Sequence, residues 1–227
     1  MDDIFSRSEA LLGTQAMDAL RTKNVIIFGV GGVGSLAAEA LIRTGLTHLT
    51  IVDDDLVQAS NINRQLPATT LTVGRPKVEV LRERLLTINP DAEIIAIQER
   101  YTPETSFNFQ LSTFNYIIDA IDSVAEKTDL ILRASRVRGC KVFSSMGAAL
   151  RLDPTQVRVA ELFDVKGDAL AKAVRARMKK IGQHPNKKIR CVYSLEQAQR
   201  CETRGSVMQV TAVFGCTLAS LIIRDLL

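Results

Sequence analysis

A glycine-rich turn, Gly29-Val30-Gly31-Gly32-Val33-Gly34, separates a short β-branched run from a helical pattern, and this order constrains the fold more than any other feature of the chain. Asn24 to Val30 reads as a strand, and Val33 to Thr44 reads as a helix stopped by Gly45. Strand, glycine turn and helix open a nucleotide-binding α/β sheet: glycine lets backbone N–H groups approach a phosphate, and the helix N-terminus favours its negative charge. Alone, the turn fits any dinucleotide-binding enzyme.

The rest of the chain alternates in the same way. Strands are predicted at His48 to Asp55, Glu93 to Gln98, Tyr116 to Ile121 and Lys141 to Met146. Helices are predicted at Arg75 to Ile88, with Pro76 near its first turn, and at about Pro103 to Leu111 and Val124 to Arg138. An N-terminal helix, Ser8 to Arg21, needs a docking surface, which a second subunit can supply. The expected fold class is α/β: a Rossmann-like, mostly parallel sheet with helices on both faces, plus a C-terminal α+β extension. With 227 residues and no low-complexity linker, the chain reads as one domain, 1–227: a nucleotide-binding core over 1–150, then a basic helix, extra strands and a C-terminal helix over 151–227.

Further residues turn the generic site into one suited to a triphosphate. Asp53 follows the second strand, where an acidic side chain accepts hydrogen bonds from ribose hydroxyls. Asp54 and Asp55 are alternatives, although strand alternation sends Asp54 to the other face. Asn61, Arg64 and Lys77 add polar and cationic groups, which a nicotinamide enzyme does not need but a triphosphate under nucleophilic attack does. Arg64 suits a β- or γ-phosphate and Lys77 the α-phosphate, while Asp122, at the carboxyl end of the fourth strand, suits Mg²⁺. Asp119 reads as support for the strand end or its loop. Seen singly, Arg64 is an ordinary helix-edge arginine and Lys77 a solvated lysine; as a set with Gly29, Gly31, Gly32 and Gly34, they describe an ATP site.

Composition bears on the partner and the compartment. Between Lys166 and Arg190 stand nine basic residues against one acid, Asp168, so the remainder of a chain whose net charge is +4 is acidic. Leu170, Val174, Met178 and Ile181 follow one helical face, and Lys172, Arg175 and Lys179, joined by Lys180, follow another. Such a stripe is either a solvated face or a polyanion contact, and the local charge asymmetry makes nucleic acid a partner to consider. Cys140, Cys191, Cys201 and Cys216 form no C-x-x-C pair, so no structural zinc is expected. Cys140 and Cys216 read as packing residues and Cys201, just before the final helix, as a free surface thiol with a reactive thiol as the alternative, while His48 and His184 have no legible partners. Met1-Asp2-Asp3-Ile4 lacks the basic and apolar regions of an export signal, which makes a cytoplasmic location the expectation. The apolar segment Val207 to Leu227 is interrupted by Gln209, Arg224 and Asp225 and reads as a buried helix, with no membrane partner.

The G-x-G-G-x-G turn, the D-x-D at Asp53, N-x-x-R-Q at Asn61/Arg64/Gln65, G-x-x-K at Gly74/Lys77 and the aspartate at Asp122 resemble the ubiquitin-activating-like adenylyltransferases. These include the enzymes that activate sulfur-carrier proteins for thiamine and molybdopterin synthesis. The resemblance implies ATP and Mg²⁺ as cofactors, with the glycine turn and Asp53 at adenosine, Arg64 and Lys77 at phosphates and Asp122 at magnesium. It also implies a homodimer, in which Arg7 of Phe5-Ser6-Arg7 reaches the neighbouring subunit's site.

The second half is similar to one branch. Ile118 to Val124, Asp153-Pro154-Thr155-Gln156, the basic Asp168-to-Lys180 helix, Cys191-Val192-Tyr193-Ser194 and Val210 to Gly215 resemble the tRNA threonylcarbamoyladenosine dehydratases. That branch implies ATP-dependent cyclisation of threonylcarbamoyladenosine beside the anticodon of tRNAs reading ANN codons, with Lys172, Arg175, Lys179 and Lys180 on the RNA and a cysteine desulfurase or sulfur-acceptor system as a further partner. The role of Cys191 is left open by the resemblance. The stretch between Ser194 and the final helix is short, and no basic tail follows that helix. The alternatives are an adenylyltransferase acting on the C-terminus of a ubiquitin-like sulfur carrier, and a nucleotide-binding regulator or dinucleotide oxidoreductase.

Overall fold

The computed structural model describes residues 4–203 and 205–227, so Met1 to Asp3, on which part of the export-signal reading rests, lie outside the described residues. Seven strands form one sheet in the order β3-β2-β1-β4-β5-β7-β6, every neighbouring pair parallel except β7 with β6. They are β1 (Asn24–Phe28), β2 (His48–Val52), β3 (Glu93–Ile97), β4 (Tyr116–Asp119), β5 (Lys141–Ser145), β6 (Val157–Glu161) and β7 (Arg190–Ser194). The middle strands are short, nearly continuous apolar runs because both faces are covered. Val25 and Ile27 point toward α3 (Gly34–Thr44), α4 (Lys77–Ile88) and α7 (Met208–Asp225), whereas Ile26 and Phe28 point toward α5 (Val124–Arg136) and α6 (Ala169–Ile181). The α/β expectation therefore holds, and β7 carries the sheet past residue 150 without a break.

Two helix expectations change. The N-terminal helix is two: α1 (Ser6–Leu12) and α2 (Thr14–Arg21), broken at Gly13, whose φ of 80° and ψ of 155° no helix contains. Ala16, Met17 and Leu20 bury the inner face of α2 against its own subunit, so α2 needs no partner for docking. Helix α1 buries none of its residues. The second change is at Pro103 to Leu111, which forms two short 3₁₀ turns, Ser106–Asn108 and Leu111–Thr113. Thr102 and Thr105 exchange side-chain and backbone hydrogen bonds there, and Thr105 Oγ1 also donates to the Arg100 carbonyl at 2.7 Å, an alternative to helix that the apolar pattern does not reveal.

Helix α7, 18 residues long, is apolar enough to span a membrane by length and composition, yet it packs as a core helix. Val210, Phe214, Leu218, Leu221 and Ile222 are fully buried. Cys216 lies on the opposite, exposed side, against the expectation of a packing residue. Helix α7 comes close to α3 because Gly215 has no side chain: a Cβ there would lie 2.5 Å from the Val33 carbonyl oxygen and 2.7 Å from Leu36 Cβ. Gly215→Ala is therefore expected to push the helices apart and cost about 1–3 kcal/mol, measured as a lower denaturant midpoint in equilibrium unfolding.

Candidate active site

A cleft of ≈ 450 Å³ opens at the carboxyl ends of β1, β2, β4 and β5. Strand order reverses between β1 and β4, and an open α/β sheet offers its ligand crevice at such a point. The glycine turn forms its floor. Gly29 has φ +84°, and a Cβ there would meet the Ala120 carbonyl oxygen at 2.8 Å, so only glycine lets the β1 and β4 loops close together. The N–H groups of Gly31, Gly32 and Val33 find no acceptor among the described residues, which leaves them for an anion at the start of α3.

Asp53 lies just beyond β2 and is held by the turn. Its Oδ2 accepts from Val30 N–H at 2.8 Å and its Oδ1 from Asp55 N–H at 2.9 Å. Burial pushes its carboxyl above the usual value, against the opposing pull of the Lys77 charge and these two N–H groups. Asp54 and Asp55 also line the cleft. The exclusion of Asp54 by alternation fails because β2 ends at Val52, before the acidic run.

The expected phosphate groups converge. Lys77, the first residue of α4 and 4% exposed, donates to Asp55 Oδ2 at 2.6 Å. It is a buried cation rather than a solvated one, held ready by a carboxylate that is itself open to water. Arg64 lines the same cleft, with Nη1 donating at 2.8 Å to both the Ser60 carbonyl and Asn63 Oδ1. Asn61 is buried and accepts from Gln58 N–H through Oδ1 at 3.0 Å, which shapes the loop that carries Arg64. Gln65 is buried beside Gly31, and its Oε1 has no hydrogen-bond partner among the described residues. Asp122 is exposed in the cleft and makes no hydrogen bond or ion pair among the described residues. Its neighbour Asp119 has the opposite fate, fully buried against Lys127 at 2.7 Å.

Several lining residues went unread in the sequence. Ser145 to Ala149 form the far wall, joined by Leu170 of α6, Tyr101, Ser206 and Thr211. The small-residue run Gly147-Ala148-Ala149 directly after a strand is the signal that marks such a wall. Asp168 caps α6 through Ala171 N–H at 2.8 Å and also holds Gly147 N–H at 3.0 Å, so the wall and the basic helix share one carboxylate. Arg151 lies 3.9 Å from that carboxylate, 3% exposed, with its Nε and Nη1 unpartnered among the described residues.

On α6, Lys172, Lys179 and Lys180 are exposed, whereas Leu170, Val174 and Met178 are buried as expected. Ile181 is 44% exposed and leaves the packing face. Arg175 is half-buried: its Nη1 donates to the Leu162 and Val165 carbonyls at 2.8 and 3.0 Å, so that part of the guanidinium holds the β6–α6 loop instead of facing solvent. Arg7 is exposed on α1 and does not line the cleft of its own chain. Cys191 and Cys140 are buried, and burial raises both thiols, Cys140 to about 11; Cys201 is exposed.

The ThiF family model matches residues 5–227. The chain is 42% identical over 178 residues to the tRNA threonylcarbamoyladenosine dehydratase of Bacillus subtilis, covering 78% of this chain and 70% of that one. It is 35% identical to the Escherichia coli protein of the same name, over 92% of this chain and 79% of that one. The crystal structure of the Escherichia coli tRNA N6-threonylcarbamoyladenosine dehydratase in complex with ATP superposes with a TM-score of 0.92 at 34% identity, covering 98% of this chain and 93% of that one. Similarity to the Escherichia coli sulfur carrier protein ThiS adenylyltransferase, at 34% identity, spans 54% of this chain. The fold, the cleft at the strand reversal and these similarities together place the chain in the ThiF family, among its tRNA threonylcarbamoyladenosine dehydratases.

Proposed function

We propose that the protein uses ATP to cyclise threonylcarbamoyladenosine in tRNA, with net loss of water, through adenylation of the threonyl carboxylate. The carrying observation is the cleft itself: Lys77 and Arg64 on one side, an unpartnered Asp122 on the other, and free N–H groups of the glycine turn between them. A carboxylate anion is a poor electrophile. Attack of its oxygen on the α-phosphorus releases pyrophosphate and gives a mixed anhydride. The carbamoyl group then closes the ring on the carboxyl carbon, and AMP departs with the oxygen that would otherwise leave as water.

Each residue has a part in that sequence. Asp53, fixed by Val30 N–H, keeps a carboxylate beside the ribose position, and Gly29 to Gly34 leave room for the phosphates to reach the α3 N-terminus. Lys77 exchanges Asp55 for phosphate oxygens as charge builds at the α-phosphorus. Arg64 binds the outer phosphates, and a well-placed donor of this type contributes roughly 3–4 kcal/mol. Asp122 offers a hard oxygen ligand with no competing partner, which fits Mg²⁺; the ion would offset charge on the phosphates, with waters completing its shell. The wall from Ser145 to Ala149 is the surface on which the acceptor carboxylate meets ATP. No protein nucleophile is needed, and Cys140 and Cys191 are held as thiols by burial.

The substrate's polyanionic body would meet Lys172, Lys179 and Lys180 on α6, whose first turn reaches the cleft through Leu170. Arg7 would act across a homodimer, and a tRNA substrate sets the work in the cytoplasm. Three outcomes are expected. Calorimetry should find that the protein binds ATP with Mg²⁺ in preference to NAD, and tight NAD binding without ATP binding would end the adenylation reading. Mixing Arg7→Ala subunits with Asp53→Ala subunits should restore one intact site per heterodimer; verified heterodimers with no recovered activity would remove Arg7 from the site. Changing Lys172, Lys179 and Lys180 to Gln, with Arg175 left to hold its loop, should weaken tRNA binding at unchanged ATP affinity and make the log affinity against log salt slope shallower by about two to three units. An unchanged slope would return weight to a protein substrate.

A further inference from the structure

Lys127 and Asp119 form an ion pair in which neither side chain is exposed, and the chemistry above uses neither. Lys127 Nζ donates to Asp119 Oδ2 at 2.7 Å and to Ser144 Oγ at 3.2 Å, and Ser144 Oγ donates to the same Asp119 oxygen at 2.6 Å. The triangle joins α5, β4 and β5 directly beneath the cleft. Two costs oppose it: both ions are stripped of water, and the lysine, fourth residue of α5, stands near the helix end whose dipole disfavours a cation. Packed apolar side chains would hold the fold there as well or better.

What the charged triangle supplies, and apolar packing does not, is an ionised carboxylate with one oxygen locked and the other directed. Asp119 Oδ1 accepts from Ile121 N–H at 3.1 Å, and Ala120 N–H donates to the Phe28 carbonyl at 2.8 Å, so the loop is pinned on both residues that precede Asp122. Lys127 neutralises Asp119, which leaves Asp122 as the uncompensated carboxylate of this loop. We propose that Lys127, Asp119 and Ser144 are positioning residues that set the Asp122 carboxylate for the Mg²⁺ carried by ATP. This rests on the reading of Asp122 as the magnesium ligand.

The test measures ATP binding by calorimetry over a series of Mg²⁺ concentrations, with the full chain and no tRNA. Asp119→Asn with Lys127→Met removes both charges yet keeps an acceptor for Ile121 N–H; Asp119→Leu with Lys127→Met and Ser144→Ala fills the same space without one. The triple variant, folded by circular dichroism, is expected to need about ten-fold more Mg²⁺ for half-maximal ATP binding, the scale on which groups behind a metal ligand act. The Asn/Met variant, which keeps the Ile121 acceptor but loses the Lys127 lock, should show a smaller rise that falls between wild type and the triple variant, and ATP binding without Mg²⁺ should change little in either. Ser144→Ala alone should raise the Mg²⁺ requirement in the same direction, and it decides the matter if the triple variant does not fold. A wild-type Mg²⁺ requirement in the folded triple variant, or in Ser144→Ala, overturns the proposal. An unchanged requirement in Asp122→Ala would instead remove the magnesium reading beneath it.

Discussion

Among the described glycines, the tightest approach lies inside the glycine turn: the Gly29 carbonyl oxygen sits 1.8 Å from where a side chain on Gly34 would begin. The chain can leave β1 and enter α3 this tightly only with glycine at that point. The same closeness recurs around it, with the Ala120 carbonyl against Gly29 and α7 against α3 at Gly215. Three backbone segments thus meet without intervening side chains. Their meeting sets the first turn of α3 at the cleft, seats the Asp122 loop over β1, and brings Thr211 of α7 beside Gly32. A cleft lined by backbone N–H groups follows from that geometry, and it would accept an anion whatever chemistry came next.

Charge then separates binding from catalysis. Asp119 and Asp122 are three residues apart, yet one is sealed against Lys127 and the other is open, with no partner among the described residues. Lys77 and Asp55 show a third arrangement, in which the cation is buried and its carboxylate partner exposed. Water and salt reach the Asp55 side of that pair, so a phosphate can compete for the lysine, whereas nothing from solvent can compete for Lys127. Burial, more than residue type, decides which charges can exchange partners during a reaction.

Much of this was legible in the sequence because it depends on local pattern. Strands β1 to β5 are apolar runs between turn residues, and Gly45 ends α3 in the left-handed conformation that glycine favours. Asp53, Asn61, Arg64, Lys77 and Asp122 line one cleft, and their order along the chain follows the crossovers of a parallel sheet. What stayed hidden depends either on local hydrogen bonds and single residues that leave no periodic mark, or on partners distant in sequence. The 3₁₀ turns after β3 arise from hydroxyls competing for the backbone, and the break at Gly13 from one residue in a pattern that otherwise continues. The far wall of the cleft escaped notice because small residues carry no chemical signature until a strand end and a helix N-terminus enclose them. Arg175 looked like its neighbours on the basic stripe; only the carbonyls of Leu162 and Val165 distinguish it.

The extension after β5 supplies what a generic nucleotide site lacks. Asp168 accepts from Gly147 in the wall and from Ala171 in α6, so the surface proposed for RNA and the surface proposed for its reacting carboxylate are fixed to each other by one side chain. Leu170 completes the contact by lining the cleft from the first turn of the basic helix. A polyanion bound along Lys172, Lys179 and Lys180 would therefore be registered against the cleft by rigid elements rather than by a flexible loop. The same attachment separates two kinds of arginine and lysine on α6: those whose removal changes only charge, and Arg175, whose removal would also release the loop leading into Asp168. Surface charge and scaffold are thus interleaved within a single helix, and specificity for a large substrate can arise from where that helix is anchored as much as from how many cations it carries.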